Sequence, residues 1–234
     1  MKLQICCFTA FFLGSVLSTK AGAVTITQVD TFEDGTTQGW GVGAGPSPTP
    51  PVNVADGGPG GTGDNYLLLT ATGGNGPGSK LGAFNTAQWA GDYIAAGITQ
   101  IGMQVKNFGP QDVYLRLLFA DPTGGPPSNI AFSTNAILAQ AGADWNFVVF
   151  DVSSAALTAG LGSVEQALSN ATELRIFHNP VAAFPPPPVG PPAVNAQLGI
   201  DDIRAVPEPS TFAFLTAGML GLALRRRFAI RRSE

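Results

Sequence analysis

The sequence predicts an all-β fold, an antiparallel β-sandwich with one short helix. Three observations carry that expectation. Short apolar runs are separated by Gly/Pro turns, with no strand–helix–strand alternation that would build a parallel sheet. Turn formers are abundant, with 30 glycines and 19 prolines in 234 residues, against a usual combined share of roughly 12%. Hydrophobic residues make up 44% of the chain and charged ones 12%, enough apolar surface to exclude a polar disordered chain. Glycine has no three-residue period, which excludes a collagen helix.

Taken in order, Val24–Val29 alternates and is expected to open the domain as a strand. Residues 41–63 hold thirteen Gly or Pro and read as loop. Tyr66–Thr72 is a compact apolar run ending at Gly73-Gly74. Ile101, Met103 and Val105 alternate with Gly102, Gln104 and Lys106, a half-buried strand. Val113, Leu115, Leu117 and Phe119 mark the next, which Asp121-Pro122 turns. Phe147–Asp151 is a short strand. Ser163-Val164-Glu165-Gln166 has the pattern of a capping box and predicts the single helix. In the following strand Leu174, Ile176 and His178 share one face, and Arg175 and Phe177 the other. Seven prolines between Pro180 and Pro192 make a stiff, extended loop before the last strand, Leu198–Val206.

Charge and targeting signals divide the chain into three parts. Between Val24 and Val206 five basic residues face fourteen acidic ones, a net charge of −9. Such a core has no Lys/Arg stripe to neutralise phosphates, which excludes nucleic acid as a partner. Residues 1–23 read as a secretory signal peptide: Lys2, an apolar stretch from Leu3 to Leu17, and the small-residue cleavage site Ala21-Gly22-Ala23. The only two cysteines, Cys6 and Cys7, lie inside it, so the exported chain has no disulfide and no thiolate metal site. Residues 24–205 form the sandwich domain. In residues 206–234, Pro207-Glu208-Pro209 is followed by the apolar stretch Thr211–Leu224 and then Arg225-Arg226-Arg227. That stretch is expected to form a single membrane helix, with the arginines held on the cytoplasmic side. The prolines keep the motif extended and accessible to an enzyme.

This terminal arrangement resembles the PEP-CTERM sorting signal of Gram-negative bacteria. The resemblance implies processing by an exosortase-type membrane enzyme. It also implies inner-membrane anchoring before processing, release or display at the cell surface afterwards, and an exopolysaccharide or biofilm setting. Residues Asp30 to Gly35 and Gln38 to Trp40, read with Gly199 to Ile203, resemble the first and last strands of carbohydrate-binding-module-like jelly rolls. That likeness implies a structural calcium between the two strands, with Glu33 and Asp201, and less directly Asp30, as ligands.

No catalytic constellation is apparent. His178 is the only histidine and reads as a structural residue at a strand end. Asp201 and Asp202 adjoin on one strand and are expected to face opposite sides, which makes no carboxylate pair for glycoside hydrolysis. Trp89 and Tyr93, in a loop-like segment, are the candidates for stacking on sugar rings, while Trp40 and Trp145 read as core. The expected function is structural or adhesive in the envelope or its polysaccharide matrix, without enzyme activity. Glycan binding is the alternative, and hydrolysis of extracellular polysaccharide a weaker one.

Overall fold

The computed structural model describes residues 23–43, 47–121, 126–184 and 190–207. The expected signal peptide, Glu208 and Pro209, the apolar stretch and Arg225, Arg226 and Arg227 lie outside the described residues. No helix among the described residues is long and apolar enough to cross a membrane.

Two antiparallel six-stranded sheets form the fold. The first contains β1 (Val29–Asp30), β2 (Val52–Val54), β3 (Tyr66–Thr72), β5 (Ile98–Asn107), β9 (Asn146–Asp151) and β12 (Asn195–Pro207). Its order is β2-β3-β12-β5-β9, with β1 also on β12. The second contains β4 (Gly82–Asn85), β6 (Val113–Asp121), β7 (Asn129–Ser133), β8 (Ile137–Ala139), β10 (Leu157–Leu161) and β11 (Glu173–His178). Its order is β10-β7-β6-β11-β4, with β8 also on β6. Among the described residues the one α-helix, α1 (Val164–Ser169), starts where the capping pattern expects it, and the Ser163 hydroxyl accepts from the Gln166 N–H.

Alternation decides what each strand buries. Leu67 and Leu69 of β3, Met103 and Val105 of β5, Leu115 and Leu117 of β6, Leu174 and Ile176 of β11, and Leu198 and Ile200 of β12 meet in one core between the sheets. The last strand is central, pairing β3, β5 and β1. Its register shifts between Asp201 and Arg204, and Asp202 takes a left-handed φ of 50°. This bulge puts two residues between the inward Ile200 and Ile203. Simple alternation across Asp201 and Asp202 therefore does not hold, and the expectation of opposite faces is corrected.

Two further expectations change. Val24 is buried and its N–H donates to the Ala90 carbonyl, but Thr25–Gln28 closes a turn, so the first strand is confined to Val29–Asp30. The Gly/Pro-rich segment from Gly41 to Gly63 contains strand β2, paired with β3 through Val52, Asn53 and Val54.

Candidate functional site

A groove of about 570 Å³ opens beside the edge strand β4. Its floor comes from alternation: Gly82 and Phe84 on β4 and Arg175 and Phe177 on β11 line it, while Ala83 and Ile176 point into the core. Lys80, Ser47, Thr49, Thr70 and the prolines Pro51, Pro77 and Pro191 complete the walls. The Arg175 guanidinium sits over the rings of Phe84 and Phe184, 5.5 and 5.0 Å from their centroids, and its Nη2 lies 2.7 Å from Glu173 Oε1. Those contacts fix the position of the cation beside the groove. The Thr49 hydroxyl is buried with no hydrogen-bond partner among the described residues. No Asp or Glu is among the lining residues.

Part of the second sheet's outer face is covered, although Tyr114 and Leu138 stay exposed on it. Leu118, Ala120, Phe132 and Phe177 form a second small buried cluster, with Ile130 and Phe184 packed on it. The Phe184 ring meets Phe177 edge-on at 5.2 Å. Beside them Arg116 is buried, donating to the carbonyls of Ser133, Thr134, Asn179 and Pro180. Burial lowers its affinity for the proton.

The first sheet's outer face is open. Tyr66, Phe108 and Trp145 contact one another with centroids 5.3 to 6.2 Å apart. They cluster over Gly199, where a Cβ would strike all three rings. Phe147 lies across Gly102 in the same way, with the Arg204 guanidinium 5.0 Å from its centroid. Trp145, expected in the core, is half-buried on this face, and its Nε1 donates to the Gly57 carbonyl.

The expected sugar-stacking pair is corrected. Trp89 and Tyr93 are fully buried, so no sugar ring can reach them. The Tyr93 hydroxyl donates to the Trp89 carbonyl at 2.7 Å, and its ring meets Phe119 edge-on. Burial, with the Asp30 charge adding to it, raises that phenol's pKa well above its usual value. Asp30 is the acceptor that makes the arrangement stable: it takes hydrogen bonds from the indoles of Trp40 and Trp89, at 2.8 and 2.7 Å, and from Gln28 and Gln88. Four donors occupy its oxygens, so Asp30 is corrected from metal ligand to buried structural hub.

Glu33 and Asp201 stand differently. Asp201 is buried and its Oδ1 has no hydrogen-bond partner among the described residues. Its pKa is pushed up to about 7, mainly by burial, with the charges of Asp202, Asp64 and Glu33 adding to it. The charge of Glu33, three residues after β1, is felt at Asp201 on the last strand. Asp64, which the sequence reading missed, joins them from the Gly-rich loop, where its Oδ2 accepts from the Gly60 N–H. Among the described residues no group of three or more His, Cys, Asp or Glu has the geometry to hold a metal ion.

His178 is structural. Its Nδ1 accepts from the Tyr114 N–H at 3.0 Å, and burial lowers its pKa. Of the sorting motif, Pro207 is described: it ends β12 and pairs with Ile98.

Residues 205–227 match the PEP-CTERM protein-sorting motif, so the chain carries the signal of an exported protein processed at the membrane. No curated protein matches the chain. Among solved structures, an exo-β-agarase aligns with a TM-score of 0.53 and 13% identity, over 79% of this chain and 26% of that one. The chain thus spans about a quarter of the agarase, and the likeness is one of fold. The family 11 carbohydrate-binding module from Clostridium thermocellum, in complex with a β-1,3-1,4-mixed-linked tetrasaccharide, aligns with a TM-score of 0.48 and 13% identity, over 80% and 98% of the two chains. The N-terminal CBM22-1–CBM22-2 tandem from Paenibacillus barcinonensis Xyn10C aligns with a TM-score of 0.47 and 15% identity, over 81% and 48%.

Proposed function

We propose that this chain is an exported, non-enzymatic glycan-binding protein of the cell envelope, sorted through Pro207-Glu208-Pro209 and engaging sugar in the groove beside β4. The groove is the observation that carries this reading. Phe84 and the proline walls offer apolar surface to the C–H face of a sugar ring. Arg175, Lys80 and Ser47 offer hydrogen-bonding groups to its hydroxyls. Glycoside hydrolysis needs two carboxylates across the scissile bond, and this lining supplies none. Hydrolysis of extracellular polysaccharide is accordingly the weakest of the three readings.

The structural or adhesive reading is favoured by the open face of the first sheet, where Val52, Phe108, Phe147 and Val149 are exposed. In either case the processing partner is an exosortase-type membrane enzyme, and the setting is a Gram-negative cell surface with its exopolysaccharide or biofilm matrix. Before processing, Thr211–Leu224 anchors the chain in the inner membrane. Calcium at Glu33 and Asp201, with backbone carbonyls supplying most of its ligands, belongs to the same proposal: a divalent ion would offset the repulsion between these carboxylates.

The purified secreted chain, screened on a glycan array with and without calcium, is expected to retain one class of polysaccharide. A folded chain that retains none would overturn glycan binding and leave the adhesive reading. Intact mass of the native secreted form should lack Arg225–Glu234, and a form that keeps them would contradict sorting.

A further inference from the structure

The sorting motif starts inside the sandwich. Its match begins at Ala205, and Ala205, Val206 and Pro207 are the last three residues of β12, paired with Ile101, Gln100 and Ile98. No spacer separates the folded sheet from the signal. Between Pro207 and the apolar stretch that starts at Thr211 lie only Glu208, Pro209 and Ser210. Three extended residues reach about 10 Å, and the headgroup layer on each side of a bilayer is roughly 5–8 Å thick.

Two turns flank the exit of β12, and each carries an exposed isoleucine. In the first, Gln28 donates back to Thr25 and its carbonyl accepts from the Ala205 N–H, which puts Ile26 beside the end of the strand. In the second, Gly97 donates to Ile94 and Ile98 to Tyr93, immediately before Ile98 pairs with Pro207. Ile26 is 45% exposed and Ile94 53%. Val29, paired with Arg204 three residues before the end of β12, is 46% exposed.

We propose that, while the C-terminal segment is intact, this end of the sandwich rests on the membrane surface with Ile26 and Ile94 in the headgroup layer. The proposal rests on the reading of Thr211–Leu224 as a membrane anchor. The occupant follows from the length of chain outside the described residues: a tether this short leaves no room for a water layer between the β12 exit and the lipid. Two isoleucines alone give weak membrane affinity. Holding them against the surface through the anchor makes their insertion intramolecular, and burying each exposed side chain then needs no further loss of translational freedom. The groove, lined by β4, β11 and the Pro77–Lys80 segment rather than by either turn, stays clear of this contact.

The test uses the chain exported from a host without a sorting enzyme, its leader removed and its C-terminal segment kept. Such a chain has no cysteine of its own, because both lie in the leader. Single-cysteine variants Ile26→Cys, Ile94→Cys, Asn75→Cys and Ala217→Cys carry an environment-sensitive fluorophore. They are reconstituted in phosphatidylethanolamine–phosphatidylglycerol vesicles with a headgroup nitroxide lipid or an acyl-chain nitroxide lipid. Asn75 lies in the turn after β3, at the opposite end of β12. The headgroup quencher should act on positions 26 and 94 about twofold more strongly than on position 75, and the acyl-chain quencher should act on position 217. A ten-residue Gly/Ser spacer between Pro207 and Glu208 should abolish quenching at 26 and 94 and leave that at 217. Quenching at 217 with none above the Asn75 level at 26 and 94 overturns the docking proposal alone. No quenching at 217 overturns the anchor reading and the proposal with it. Quenching at 26 and 94 that survives the spacer would assign the contact to intrinsic membrane affinity and overturn the tether account.

Discussion

On the outer face of the second sheet, Phe177 is 1% exposed and Phe132 3%, whereas on the outer face of the first, Phe108 and Phe147 are 40% and 42% exposed. Both faces carry aromatic side chains, so composition does not separate them. What separates them is cover. The strand β6 reads Leu117-Leu118-Phe119-Ala120 without alternation, as strands buried on both faces do. Its outward residues are capped by Phe184, Ile130 and Phe132. On the first sheet, Gly199 and Gly102 take the outward positions under the rings, and Phe108 and Phe147 stay in contact with water. One sheet has thus spent part of its outer face on a second core and kept a groove at the β4 edge, and the other has kept exposed aromatic rings.

The largest effect should come from breaking the cover. Phe177→Ala removes a buried ring from the second cluster and should destabilise the domain by about 3–5 kcal/mol, whereas Phe147→Ala on the open face should cost less than about 1 kcal/mol. Urea denaturation of the two variants checks this, and equal losses would erase the distinction between the faces. A smaller effect is expected from Gly199→Ala, whose Cβ meets the rings of Trp145, Phe108 and Tyr66. Displacing them should cost about 1–3 kcal/mol and shift Trp145 fluorescence to the red as that ring is pushed into water. No change in either would show that the rings do not pack on the glycine.

The smallest effect concerns the buried carboxylate of the first sheet. In chelator, Asp201 titrates near 7 in the folded chain and near its ordinary 3.8 when unfolded. Between those values the folded chain holds a proton that the unfolded chain has released, so this residue makes stability fall as pH rises from about 4 to about 7. Asp201→Asn should flatten that fall. At pH 7, calcium should raise Tm by several degrees in the parent chain, in keeping with about 2.7 kcal/mol for an ion at a hundred times its Kd, and should leave Asp201→Ala unmoved. Identical melting curves in calcium and chelator would contradict a cation at Asp201.

The main core was legible because it rests on alternation, which sequence displays directly. The run Tyr66–Thr72 is β3, and the outward and inward sets of β11 fall as their spacing predicts. The strands that the sequence did not predict are short: Val52–Val54, Gly82–Asn85, Asn129–Ser133, Ile137–Ala139 and Leu157–Leu161 take their structure from neighbours already in place. Trp89 and Tyr93 looked exposed because their segment looks like loop. They are buried because Asp30, 59 residues from Trp89, accepts the indole N–H, a pairing that no local pattern reveals. The groove was invisible for the same reason, since Phe84, Arg175 and Lys80 meet only when β4 pairs with β11. The charge of Asp64 at Asp201 was hidden because Asp64 lies among glycines that read only as turn.

The most direct test of glycan binding at the β4 groove is titration calorimetry with the polysaccharide retained on the array, comparing Phe84→Ala and Arg175→Ala with Trp145→Ala. The groove variants should weaken binding at least about tenfold, a loss of about 1.4 kcal/mol or more each, while the parent melting curve is kept and Trp145→Ala binds as the parent does. Binding that survives both groove substitutions, or that falls with Trp145→Ala alone, would contradict the groove and move the ligand to the open face of the first sheet.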